Sequence, residues 1–224
     1  MAKHLPKPSE TVRSRKLLET LITRRPELLM STDNTRIHWK SPVAPDFAEY
    51  SDRDFMEQLE INDPIFPLRD FWPALGPVWD GLGIAENKDR TRILVEAKAY
   101  IEEADTDPTG AGEKSKSRID DSLQKTKEFM KASGGHADWS KSFYQYANRL
   151  AHLYYLAELN STPSELWFVY FCNLEKDSKS TSFSEWKGAL RLLHSHLGLG
   201  SRNPLRSQIR EFFIDAVTME PCHS

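Results

Sequence analysis

Apolar positions along this chain follow two rhythms. Continuous or alternating apolar runs cover residues 78–84, 91–100, 166–172 and 209–217, with the lengths and compositions of β-strands. Elsewhere apolar residues recur every three or four positions. Ile119, Leu123, Thr126 and Met130 mark one helix, Trp139, Phe143, Tyr146, Leu150, Leu153 and Ala157 a longer one, and Trp186, Ala189, Leu190 and Leu193 a third. The polar stretch 85–90 predicts a hairpin between the first two strands, and Ser51 ahead of Phe55 and Leu59 predicts a short capped helix. The run 166–172 is apolar throughout, as in a strand covered on both faces. Residues 106–117, rich in glycine, serine and charge, read as a mobile loop. From residue 51 the order is helix, strand, strand, helix, helix, strand, helix, strand. It predicts an α/β fold, a three-layer mixed β-sheet flanked by helices. Residues 1–50 read as an added segment, a basic helix around 12–29 and an extended arm, and residues 51–224 as the main domain.

Composition changes this picture little. The chain has 224 residues, 39% hydrophobic and 28% charged, enough for one sizeable core. No apolar run approaches the roughly 20 residues that span a bilayer. The start Met1-Ala2-Lys3-His4-Leu5-Pro6 lacks the apolar centre of a secretion signal, so a cytoplasmic protein with no membrane partner is expected. Cys172 and Cys222, the two cysteines, supply neither a disulfide framework nor a zinc site. A formal charge of -3 gives no general attraction for polyanions, so any nucleic-acid surface has to be a local basic patch.

Chemistry enters at Ile93-Leu94-Val95-Glu96-Ala97-Lys98-Ala99. Period two puts Glu96 and Lys98 on one face of the strand and Val95 and Ala97 on the other. Buried ions cost several kcal/mol unless paired or metal-bound, so this face needs a reason. The triplet alone is uninformative, since Glu86-Asn87-Lys88, Asp177-Ser178-Lys179 and Glu185-Trp186-Lys187 repeat it in polar loops or an amphipathic helix. Its apolar strand context and a hairpin partner carrying Asp80 set it apart. Two carboxylates, Asp80 and Glu96, with the Ala97 carbonyl make an all-oxygen site suited to Mg2+ or Mn2+. Lys98 would orient a bound water or offset developing charge. The plainer reading is a structural salt bridge between Glu96 and Lys98, with Asp80 fixing a turn beside Gly81.

These residues resemble the signature of the PD-(D/E)XK nuclease superfamily, the restriction-endonuclease-like fold. An acid, here Asp80, precedes a strand bearing acid-x-Lys, here Glu96-Ala97-Lys98, over about residues 52–217. Trp79 stands where proline precedes the acid in many members. The resemblance implies a metal-dependent nuclease cutting DNA, with Asp80 and Glu96 as metal ligands and Lys98 as the catalytic lysine. It also leaves room for a homodimer, and for a catalytically inactive module that binds nucleic acid or protein on the same fold. An enzyme acting on a small phosphorylated substrate is a third reading.

Other positions carry weaker signals. Gln145, Asn148, Arg149 and His152 share one helix face, from which Arg149 would contact phosphate and Gln145 or Asn148 would orient water. The resemblance also allows Glu57 or Glu60 to add a metal ligand, although a solvated helix face explains them better. Gly110 to Ser115 imitates a phosphate loop, but Glu113 separates glycine from lysine. His194 and His196 fall at a helix end, where histidines interact with terminal carbonyls.

Overall fold

Five strands form one mixed sheet in the order of the sequence: β1 (Ile37–Ser41), β2 (Gly81–Ala85), β3 (Arg92–Lys98), β4 (Ser164–Cys172) and β5 (Ile209–Asp215). The computed structural model describes residues 11–44, 48–104, 111–132, 137–174 and 179–222. Strands β1, β2 and β3 make an antiparallel meander, after which β4 and β5 join in parallel. Between the parallel strands run the helices α4 (Glu113–Phe129), α5 (Tyr144–Tyr154) and α6 (Phe183–Leu197). Helices α1 (Thr11–Arg24), α2 (Asp52–Gln58) and α3 (Leu68–Phe71) precede the central hairpin. The chain is thus a mixed α/β fold with helices on both faces of a five-stranded sheet, the layered arrangement expected from the element order.

Period two divides the core between the faces. Ile93, Val95, Ala97, Trp167, Val169 and Phe171 pack with Leu18, Leu21 and Ile22 of α1. On the opposite face Leu94, Leu166, Phe168, Tyr170 and Cys172 pack with α4, α5 and α6. Every residue of β4 is buried, because strands pair with it on both edges and helices cover both faces. Helix α6 starts in a capping box, where Ser182 and Glu185 satisfy each other's backbone N–H, and ends at Gly198 in the left-handed region.

The structure departs from the sequence reading in three places. The extended arm holds a true strand, β1, whose Ile37 and Trp39 alternate with His38 and Lys40 and which pairs with β2. The loop read over 106–117 ends early, because Glu113 to Ser117 already form the first turns of α4. Residues 106–110 of that loop, Gly110 among them, lie outside the described residues. Helix α5 begins at Tyr144 rather than near Trp139. Asp138 accepts bonds from the N–H and hydroxyl of Ser140, which turns the chain, and Phe143 sits at φ 52 before the helix. Among the described residues no helix is long and apolar enough to cross a membrane.

Candidate active site at the end of strand β3

The hairpin register fixes the first two acids. Gly81 pairs with Val95, so the next antiparallel step sets Asp80 opposite Glu96 on the same face. The β2–β3 ladder stops there. Asp80 takes over its last backbone donor: the Ala97 N–H donates to Asp80 Oδ2 at 2.8 Å. A strand residue's N–H and carbonyl leave by the same edge, so the Ala97 carbonyl also faces the Asp80 side of β3.

Glu96 is only 3% exposed and both its oxygens are engaged. Lys98 Nζ donates to Oε1 at 2.5 Å and to Gln145 Oε1 at 2.8 Å. Arg149 Nε donates to Glu96 Oε2 at 2.6 Å, and Nη2 lies at 2.6 Å from the same oxygen. The guanidinium also donates to Asn148 Oδ1 and to the Val78 carbonyl, both at 2.8 Å, and lies 4.8 Å from the Trp79 ring centre. Strand β3 therefore presents Glu96 and Lys98 to the first two turns of α5, which return Gln145 and Arg149.

Burial and neighbouring charge act differently on the two acids. For Asp80, burial and then the charge of Glu96 push the pKa up to about 7, against the pull of Lys98, the Ala97 N–H and Arg149. Burial also works against the Glu96 charge, but Arg149 and Lys98 outweigh it and hold its pKa below the ordinary carboxylate value. Unequal acids side by side are a recurring feature of catalytic sites.

The structure brings Asp80, Glu96, Ala97, Lys98, Gln145 and Arg149 together. Asn148 joins them only by bracing Arg149. His152, on the same helix face, does not reach the cluster: it is fully buried among Phe55, Phe71, Trp72 and Trp79. Glu57 is exposed, and Glu60 pairs with Lys40 and Arg90 near the hairpin turn, so neither adds a ligand at this cluster. His194 contacts the Tyr146 hydroxyl and lies 3.5 Å from Glu211, and His196 packs on Phe143. Trp79, the residue before Asp80, serves as the face on which Arg149 rests. One neighbour had no sequence signal. Glu49, partly buried and 3.3 Å from Arg15, has its pKa raised by burial, and the nearby Glu96 charge adds to that rise against the pull of Arg15. Two clefts open along α4, and none of the six assembled residues lines either.

Among the described residues no group of three or more histidine, cysteine or acidic side chains is assembled for a metal. The candidate donors that the hairpin register sets side by side are two carboxylates and the backbone carbonyl of Ala97. In kind they fit a hard, partly hydrated cation such as Mg2+. No protein-family model, curated protein or solved structure matches this chain.

Proposed function

We propose that the chain has a restriction-endonuclease-like core and hydrolyses phosphodiester bonds in DNA with Mg2+ or Mn2+. The observation that carries this reading is the alignment of Asp80 opposite Glu96, with Lys98 on the same strand face and Gln145 and Arg149 supplied by α5. Asp80, Glu96 and the Ala97 carbonyl would hold the ion, which polarises a phosphate and lowers the pKa of a bound water. Lys98, held by Gln145, would donate to the attacking water or to a phosphate oxygen. Arg149 offers a planar fork that suits the phosphate itself. Asp80, near neutrality, changes protonation at small cost, so it can ionise as positive charge arrives.

Calorimetry with Mn2+ and plasmid nicking, run on the wild type and on Glu96→Gln, test the proposal. The expected result is that metal heat and nicking both disappear in the variant. Nicking that survives Glu96→Gln sinks it.

A second reading, an inactive module binding nucleic acid or protein, has one observation in its favour. Lys98 and Arg149 already satisfy both oxygens of Glu96. On that reading the wild type gives no metal heat, and Glu96→Gln binds the same partner with unchanged affinity.

A further inference from the structure

We infer that Arg149 is the resident counter-cation of Glu96, and that a divalent metal enters by exchange as an anionic phosphodiester draws the guanidinium away. The inference deepens the nuclease reading and rests on it. Arg149 bridges the two segments that carry the acids. One side holds Glu96 Oε2 through Nε and Nη2, and Nη2 also bonds the carbonyl of Val78, two residues before Asp80. An ion that took Oε2 of Glu96 would have to displace the guanidinium, which holds that oxygen with two nitrogens. Lys98, by contrast, takes only Oε1 and is anchored on Gln145.

Charge gives the exchange its direction. Ionised Asp80 and Glu96 are balanced by Lys98 and Arg149, and both Glu96 and Arg149 are 3% exposed. A dication added alone to this neutral buried cluster arrives without a counter-charge, which buried sites tolerate poorly. A phosphodiester brings the missing negative charge. It also offers the guanidinium two oxygens for its planar fork, where Glu96 gives it one. Metal and substrate therefore favour each other's binding, a reciprocal coupling through one side chain.

The test is Mn2+ calorimetry on the full chain. Wild type is expected to bind Mn2+ weakly alone and about tenfold more tightly with a phosphorothioate DNA duplex, a gain of 1.4 kcal/mol as a coupling free energy. Arg149→Met is expected to show about tenfold tighter Mn2+ binding without DNA, and Glu96→Gln in that background to remove the gain. Arg149→Met that binds Mn2+ no more tightly than wild type, while circular dichroism shows it folded, overturns the inference. If the variant fails to fold, the Arg149 Nε–H resonance of the wild type decides. It should shift when Mg2+ and duplex are added together and not with Mg2+ alone, and an unmoved resonance overturns the exchange. A chain that shows the exchange but leaves DNA intact loses the nuclease reading alone. One that nicks DNA through Glu96 with metal affinity indifferent to Arg149 loses only the exchange.

Discussion

His152 shows how one residue can share a functional helix face and still belong to the core. It lies three positions after Arg149, yet its ring sits among four aromatic side chains, with Nδ1 donating to the Asn148 carbonyl at 2.8 Å. Nε2, the remaining nitrogen, has no hydrogen-bond partner among the described residues. Burial lowers its pKa to about 3, with Arg149 adding to the effect and the Asn148 carbonyl and Asp52 opposing it. The unfolded chain therefore takes up a proton near pH 6.5 that the folded chain refuses until about pH 3, so stability falls as pH drops through that window. The unfolded His152→Leu chain has no such proton to take up. The variant's stability relative to wild type should improve by about 2 kcal/mol between pH 7 and pH 5, measured by urea unfolding. A difference that stays constant with pH would refute the assignment. The same residue shows where helical spacing stops being informative. Periodicity gave the shared face of α5, and only tertiary burial separates Arg149 at the site from His152 in the aromatic box. Glu49 was beyond reach for another reason: it follows a proline-containing stretch with no period, and only the folded chain brings it near Glu96.

At the scale of elements, β1 is held close by a missing side chain on its neighbour. Gly83 of β2 pairs with Trp39, and a Cβ at Gly83 would come within 2.4 Å of Ile37 Cγ2 and 3.3 Å of the Trp39 ring. Ile37 is branched at Cβ and stiff, so the strand itself has to shift. Gly83→Ala should cost about 1–3 kcal/mol in thermal or urea unfolding, despite the intrinsic preference of strands for alanine over glycine. Gly81→Ala meets nothing nearer than 3.1 Å and should cost less. A Gly83→Ala protein as stable as wild type would mean that β1 is not seated on this glycine. The strand was legible in principle. Ile37-His38-Trp39-Lys40 alternates, but it is short and polar on one side, and the prolines that follow made it read as an arm. The hairpin and β4 were plain because their burial leaves long apolar runs. The start of α4 was hidden because its first turns, Glu113 to Ser117, carry lysines and serines that face solvent or lie only half buried. Composition alone makes such a turn look like a loop.

For the whole molecule, the second face of the sheet decides how the first fifty residues behave. Ile93, Val95, Ala97, Trp167, Val169 and Phe171 form an apolar surface on β3 and β4, and the cover they receive includes Leu18, Leu21 and Ile22 of α1. The opposite surface of β3 carries Glu96 and Lys98. The helix from the basic N-terminal segment thus backs the strand on which the candidate chemistry stands. Leu21 is fully buried in this layer. Leu21→Ala removes apolar contact and leaves a cavity, at a cost of about 2–5 kcal/mol when the site cannot collapse. If α1 is part of one cooperative unit, that cost appears as a single transition at lower denaturant, with helix content and tryptophan fluorescence lost together. If α1 is instead an appendage, the variant frays the helix first and leaves the sheet transition where it was. The cooperative outcome is expected, because Trp167 lies under α1 while its neighbour Phe168 faces α5. Loosening one face of β4 therefore disturbs the other through the same backbone. On that expectation Leu21→Ala also loosens the candidate site from behind: the proposed nicking activity should fall at temperatures where the variant begins to unfold and match wild type well below them.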